Sequence, residues 1–368
     1  MLWLIAGCLV SSFLTSLLVT ALMRRIAPRC GLIDLPSERK VHQTPTPLGG
    51  GLGILAGVML PLVILEVAVH WVGSLAERPE WLPLELYNHA AGARSRTGQL
   101  LSIVGAGLII SGLGLLDDLK NLSWKPRLLV QFLVAGGLVF GGVRATLFTQ
   151  APWVGHVVTI LWIVGLTNSF NFLDNMDGLS AGVAAISSAI FALIMLAGTS
   201  EPHLFVAGFL LLLLGSLGGF LVHNWPPARI FMGDSGSCLI GLWIACLTVV
   251  GTFYDYKHAG QHVVLAPLCV LAVPLYDFAS VMLIRLLKGR SPFRADKSHF
   301  SHRLVDMGLS RAHAVLTIHL ITLTTGLGGM LLYLIENWGG ALAVFSLVGC
   351  MLAVIAILES AGRREHDA

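Results

Sequence analysis

His203–Val222 reads HLFVAGFLLLLLGSLGGFLV, twenty residues without a single Asp, Glu, Lys or Arg. A helix needs about 20 apolar residues to cross the hydrocarbon core of a bilayer, and this stretch meets that length. The composition extends outwards from it in both directions. The chain has 368 residues, 55% hydrophobic and 12% charged, with a mean hydropathy of +0.81. A soluble globular protein carries about 25% charged residues, so no water-facing surface can be built here. Backbone in lipid must satisfy its own hydrogen bonds, which makes the chain an all-α, polytopic membrane helix bundle.

Further apolar runs lie at about 2–23, 48–72, 98–116, 127–143, 155–172, 178–198, 236–254, 262–287, 311–335 and 339–359, predicting eleven spans in a single domain over 1–368. The first run has no basic residues ahead of it, which fits a retained span better than a secretory signal. The six cysteines, Cys8, Cys30, Cys238, Cys246, Cys269 and Cys350, form no CxxC pair. They read as small hydrophobes, with neither a disulfide framework nor a zinc site. Of the 23 Lys and Arg residues, eighteen fall in one set of alternate loops with the C-terminus and five in the other. The positive-inside rule then predicts the N-terminus outside and the C-terminus in the cytoplasm.

The polar clusters follow the same side. Loops at about 24–47, 117–127, 168–178, 223–235 and 288–310 are all expected to be cytoplasmic. Asp117 and Asp118 end an apolar helix; such a pair can close a solvated helix end, hold a divalent cation, or act as a general base. In NSFNFLDNMDGLSAG, 168–182, the residues Asn168, Asn171, Asp174 and Asp177 recur at steps of three, the spacing of one helix face. Capping explains one of these acids but not four polar groups. Asp234 lies between glycines in FMGDSGS, a turn composition that can also present an acid and backbone N–H groups to a phosphate. Asn224 precedes it, and Phe231 is either core or a stacking surface. The basic loop holds Arg294, His299, His302 and Arg303; without a third zinc-type ligand it fits an anion site better than a metal site. Arg39, Lys40 and His42 in the first loop admit the same two readings, anion site or positive-inside anchor.

Together these loops offer acids suited to magnesium and bases suited to phosphates, beside a membrane able to carry one substrate. That argues for phosphoryl-group chemistry at the headgroup plane. NxxNxxDxxDGL, then FMGDxGS, then a basic histidine loop, resembles the polyprenyl-phosphate N-acetylhexosamine-1-phosphate transferases over about residues 34 to 311. The resemblance implies transfer of a sugar-1-phosphate from a UDP-sugar to undecaprenyl phosphate, with release of UMP, at the cytoplasmic face of the inner (plasma) membrane. It implies a magnesium site at Asp234 and Asn171, with manganese as a substitute. It places Asp117 as the base, with Asp118 beside it, and Arg127 at the lipid phosphate. Asp177 and Phe231 correspond to the uracil-binding positions, and Asn168, Asp174 and Asn224 line the nucleotide-sugar cavity. His299, with the loop around it, takes the sugar and phosphates. The partners implied are the UDP-sugar, the polyprenyl carrier and the membrane, with a homodimer allowed for and no nucleic acid.

Two departures from the family pattern stand out. Many members carry Gly where this chain has Asn175, and the histidine motif often reads His-x-His-His, where this chain has Ser301 in HFSH. Three consecutive histidines, usual in the muramoyl-pentapeptide enzymes, are absent, which favours the N-acetylglucosamine branch and cell-envelope glycan initiation. A transporter or flippase would place its acids within the spans and break helices in both halves. Here the acids gather mostly in the loops; Asp277 lies inside a span and reads as a buried, hydrogen-bonded group.

Overall fold

The computed structural model describes residues 2–36, 44–75, 77–81, 84–145, 151–198, 202–252, 260–291 and 298–366. Four long helices open the chain: α1 (Leu2–Ile26), α2 (Gly50–Val72), the shorter α3 (Leu84–Ser95) and α4 (Thr97–Lys120). α5 (Trp124–Phe140), α6 (Pro152–Leu173), α7 (Leu179–Leu193), α8 (Leu204–Asn224) and α9 (Asp234–Thr252) follow. The last third holds α10 (Ala266–Val270), α11 (Ala272–Leu287), α12 (Phe300–Asp306), α13 (Arg311–Leu331) and α14 (Trp338–His366). Between α1 and α2, strands β1 (Ile33–Asp34) and β2 (Thr46–Pro47) form a two-residue antiparallel pairing, with Ile33 opposite Pro47 and Asp34 opposite Thr46.

Nine of these helices are long and apolar enough to span a bilayer among the described residues, or ten if one bent pair counts as a span. The sequence reading expected eleven. The eleventh is α5, whose 17 residues lie at the lower limit of a full crossing at about 1.5 Å per residue. The bent pair is the run read as one span at 262–287. It breaks between Val270 and Ala272 and turns by 68°. The result is an all-α, multi-pass membrane protein.

The layers order themselves by burial. In the Asp234–Gly251 window of α9, 89% of the residues are buried, against 11% in the window of α14. α9 therefore forms the axis, packed against α4 and α6, while α14 lies at the periphery. Trp243 of α9 is fully buried, donates Nε1–H to the Ile103 carbonyl at 3.3 Å, and meets Phe209 edge-on at 5.3 Å. α1, α2 and α8 approach through small residues instead. Ser12 Oγ donates to the Gly57 carbonyl at 2.7 Å and Ser216 Oγ to the Ile54 carbonyl at 2.8 Å. Close backbone approach of this kind replaces the hydrophobic drive that lipid removes between helices. Large apolar side chains such as Ile64, Val67, Leu320 and Leu347 point outwards, the arrangement a lipid solvent requires.

The contact that fixes the polar end of the bundle is α4 on the start of α9. A Cβ on Gly114 would lie 2.5 Å from the backbone nitrogen of Ser235, whereas one on Gly112 would meet nothing within 4 Å. Gly114→Ala should therefore destabilise the detergent-solubilised protein by about 1–3 kcal/mol through overpacking, with Gly112→Ala close to the parent. Equal thermal unfolding of the two variants would show that α4 does not seat α9.

Candidate active site

Four helix ends meet at the polar end of the bundle. α4 brings Asp117 and Asp118, α5 brings Arg127, α6 brings Asn171, and α9 begins at Asp234. Arg127 pairs with the Asp117 carboxylate through Nη1, which also lies 2.9 Å from Asp234 Oδ2. Nη2 donates to Asn171 Oδ1 at 3.2 Å. Asn171 in turn donates from Nδ2 to Asp234 Oδ1 at 2.8 Å and to Ser237 Oγ at 3.0 Å. Oxygens from three helices thus surround one guanidinium. Asp117 is buried, and its second oxygen accepts the Leu122 N–H at 2.6 Å. A small cavity beside the cluster is lined by Asp117, Arg127 and Asp234 together with the apolar Ile110 and Leu113.

Asp118, next in sequence, faces a different partner. Its oxygens accept the N–H groups of Asp234 at 2.8 Å and Ser235 at 3.3 Å, the first two of α9. A carboxylate there satisfies orphan donors and complements the positive end of the helix dipole. The FMGDSGS composition predicts that these N–H groups meet a phosphate; the structure gives them to Asp118. The approach is close enough that a Cβ on Gly233, at φ +73°, would sit 2.6 Å from Asp118 Oδ2.

The motif of steps of three does not stay helical. α6 ends at Leu173, so only Asn168 and Asn171 lie on the helix, Asp174 is its C-cap, and Asp177 lies in the turn before Gly178. Gly178, at φ 71°, opens α7 in a conformation a side chain would strain. Asn168 turns towards α5 and donates to Gln131 Oε1 at 2.6 Å. Asp177 accepts the Ala228 N–H at 2.9 Å. Asn224 is buried with both ends of its amide on backbone, accepting from Gly178 N at 2.9 Å and donating to Ile230 O at 2.9 Å. These two side chains hold the 225–231 loop over the acidic turn. Phe231 anchors the same loop from below, its N–H donating to the Pro47 carbonyl and its carbonyl accepting from Gly50 N, both at 2.9 Å.

Asp174 has no hydrogen-bond partner for its carboxylate among the described residues. Burial pushes its pKa up to about 8, with the charges of Asp234, Asp118 and Asp177 adding to the effect. A carboxyl placed among three other carboxylates is a group that a cation would stabilise in ionised form. No three His, Cys, Asp or Glu side chains make a closed cage among the described residues. Magnesium needs none: it takes one or two carboxylates and fills its shell with water and phosphate oxygens. The oxygens of Asp234 and Asn171, gathered here on a guanidinium, fit that donor set.

The histidine element sits on the other side of α6. The His299 ring lies edge-on to Phe172 at 5.8 Å, and His302 is 6.3 Å from it. Arg303 is buried, with Nε on Glu359 Oε2 at 2.9 Å, Nη1 on the Ser298 carbonyl and Nη2 on Ser280 Oγ at 2.9 Å. All three guanidinium nitrogens thus hold protein groups, and Arg303 fastens α12 to α11 and α14 rather than presenting a charge to a ligand. Arg39, Lys40, His42 and Arg294 lie outside the described residues.

The two departures from the family pattern touch one another. The fully buried Ser301 hydroxyl donates to Asn175 Oδ1, and Asn175 Nδ2 donates to the Phe172 carbonyl at 2.8 Å. One amide therefore joins the end of α6 to the histidine helix. Read separately, neither residue signals this; the pairing spans 126 positions of sequence. Glu359 was equally hidden, as an acid near the end of an apolar run. Asn175→Ala and Ser301→Ala should each destabilise the protein, and the double variant by less than their sum, with a coupling of about 0.5–3 kcal/mol. Strict additivity in a double-mutant cycle would show that the two do not hold one another.

Comparison with known proteins places the chain in a family. The glycosyl transferase family 4 model matches residues 100–252, which contain the acid cluster. A probable undecaprenyl-phosphate N-acetylglucosaminyl 1-phosphate transferase of Bacillus subtilis (strain 168) is 33% identical over 345 residues, covering 92% of this chain and 87% of that protein. A decaprenyl-phosphate N-acetylglucosaminephosphotransferase of Mycobacterium tuberculosis (strain ATCC 25618 / H37Rv) is 33% identical, covering 82% and 76%. The undecaprenyl-phosphate alpha-N-acetylglucosaminyl 1-phosphate transferase of Escherichia coli (strain K12) is 28% identical, covering 85% and 79%.

Proposed function

The chain belongs to glycosyl transferase family 4, and we propose that it transfers N-acetylglucosamine 1-phosphate from UDP-N-acetylglucosamine to undecaprenyl phosphate. The reading rests on its relatives and, in the structure, on one observation: Asp117, Asp234 and Asn171 converge on Arg127 beside a cavity with apolar walls. A phosphate on a hydrocarbon chain needs both halves of that lining. Arg127 is the group to receive the lipid phosphate, and its exchange from carboxylate to phosphate would release the oxygens of Asp234 and Asn171. Those two residues would hold magnesium, with manganese as a substitute, whose charge offsets that of the pyrophosphate.

In the reaction an oxygen of the lipid phosphate forms a bond to the β-phosphorus of the UDP-sugar. The bond from that phosphorus to the bridging oxygen breaks, and UMP leaves with the oxygen. Such transfers are governed by positioning and electrostatic stabilisation more than by covalent catalysis. The second pKa of a phosphate lies near 6, so most of the nucleophile is already dianionic at neutral pH. Asp117 serves the remainder as proton acceptor. Asp177 and Phe231 frame the uridine and His299 the sugar phosphates, in a protein that initiates cell-envelope glycan synthesis.

Purified protein with magnesium and undecaprenyl phosphate should release UMP from UDP-N-acetylglucosamine and not from UDP-N-acetylmuramoyl-pentapeptide. Asp234→Ala should lower that rate by about 10²–10³, the usual effect of losing a charge-stabilising group. A full rate in that variant at saturating magnesium would remove Asp234 from the metal site.

The eighteen-to-five partition of Lys and Arg between loops supports eleven crossings with the N-terminus outside, which puts the acid cluster on the cytoplasmic side of the inner membrane. In a background without native cysteines, Ala93→Cys should react with an impermeant maleimide on intact cells and Ser298→Cys should not. The reverse pattern would invert the orientation and separate the site from cytoplasmic UDP-sugars.

A further inference from the structure

Asp277 lies inside the run read as a span at 262–287, and neither the acid cluster nor the loops account for it. It lies in α11 and is fully buried. A buried carboxylate persists only where its lone pairs are matched. Both oxygens are matched here, and by adjacent residues. Oδ1 accepts the Phe300 N–H at 2.6 Å, and Oδ2 lies 3.0 Å from Nδ1 of His299.

The first of these bonds is a structural one: Phe300 opens α12, and Asp277 caps it. The second has a chemical consequence. A carboxylate only accepts, so the proton between Asp277 and His299 belongs to Nδ1. The ring is thereby fixed in rotation, and Nε2 is left as its outward group. No hydrogen-bond partner for Nε2 exists among the described residues. The ring is only 8% exposed and is steadied by the Phe172 edge, one residue beyond Asn171 of the acid cluster. A histidine held this way by a buried acid is a pre-oriented binding group, since the bond at one nitrogen sets the state of the other.

The geometry points to Asp277 as a positioning residue for the transfer: it fixes the Nδ1–H form of His299 and so aims Nε2 at the nucleotide sugar. This rests on the transferase reading given above. It adds a residue that touches no substrate and acts through His299 alone.

Asp277→Asn separates this role from simple capping. The amide oxygen can still accept the Phe300 N–H, so the cap survives, but the amide NH₂ then faces Nδ1 and forces the proton onto Nε2. UMP release from UDP-N-acetylglucosamine should fall by about 10–100-fold, the usual loss when the partner that orients a functional histidine is changed. Thermal unfolding in detergent should stay near that of the parent. In a His299→Ala background the same substitution should cost nothing more. Parent-like turnover of Asp277→Asn, or an undiminished further loss in the His299→Ala background, would leave Asp277 as a cap only. Nitrogen NMR of ¹⁵N-histidine-labelled protein gives a readout free of activity, with the His299 signals identified by their loss in His299→Ala. Nδ1 should carry the proton in the parent and lose it in Asp277→Asn; an unprotonated Nδ1 in the parent would overturn the inference. Failure of the parent itself to release UMP would instead refute the transferase reading.

Discussion

One guanidinium between carboxylates of two different spans organises the polar end of this protein. Acids at a membrane boundary are costly unless something of opposite charge meets them, and Arg127 meets Asp117 and Asp234 together. The geometry of the rest follows from bringing those three side chains within reach. α4 must lie against the first turn of α9, which is why Gly114 has no room for a side chain. Asp118 can then cap α9, which sets the height of Asp234. Asn171 closes the ring by bonding both Arg127 and Asp234, fixing the register of α6. Helices that pack through apolar surface alone slide easily in lipid; a polar ring of this kind admits one register.

A second polar system, independent of the first, holds the histidine helix. Asp277 and Ser280 of α11, Asn175 of the acidic turn and Glu359 of α14 each bond to α12, and Tyr276 of α11 donates to the Glu359 oxygen that holds Arg303. α12 has only seven residues and could not hold its shape unaided. Its position is therefore imposed by neighbours from three parts of the chain. The two systems share α6: Asn171 belongs to one, and the ring and carbonyl of Phe172 to the other.

The sequence makes the solvent and the chemistry legible for different reasons. Long uncharged runs such as 203–222 are unmistakable, because lipid forbids the alternatives. The polar motifs stand out against them, and Asp117, Asp118, Asn171 and Asp234 do meet, as their chemistry requires. Local detail was less visible. Steps of three from Asn168 to Asp177 mimic a helix face, but the chain turns after Leu173, and the last two acids belong to a loop. Arg303 sits in a basic stretch and reads as an anion ligand until Glu359, 56 positions away, is brought beside it. Asn224 lies on a motif position yet bonds only backbone. Each of these depends on a tertiary neighbour that no local pattern announces.

The balance of charge at the polar end constrains how the site can work. Asp117, Asp118, Asp174 and Asp234 lie close together, and Arg127 is bonded to two of them, Asp117 and Asp234. Burial, helped by the charges of Asp234, Asp118 and Asp177, holds the Asp174 carboxyl above the usual carboxylate range. Adding a phosphate to such a place would worsen the imbalance twice over, once through its own charge and again by drawing Arg127 away from the carboxylates. In the transferase proposed above, Asp234 and Asn171 would hold a divalent cation once Arg127 turned to the phosphate, and its charge would favour the ionised form of Asp174. The excess of acid thus suits a site in which a metal would balance two anionic substrates, with Arg127 exchanging between carboxylate and phosphate.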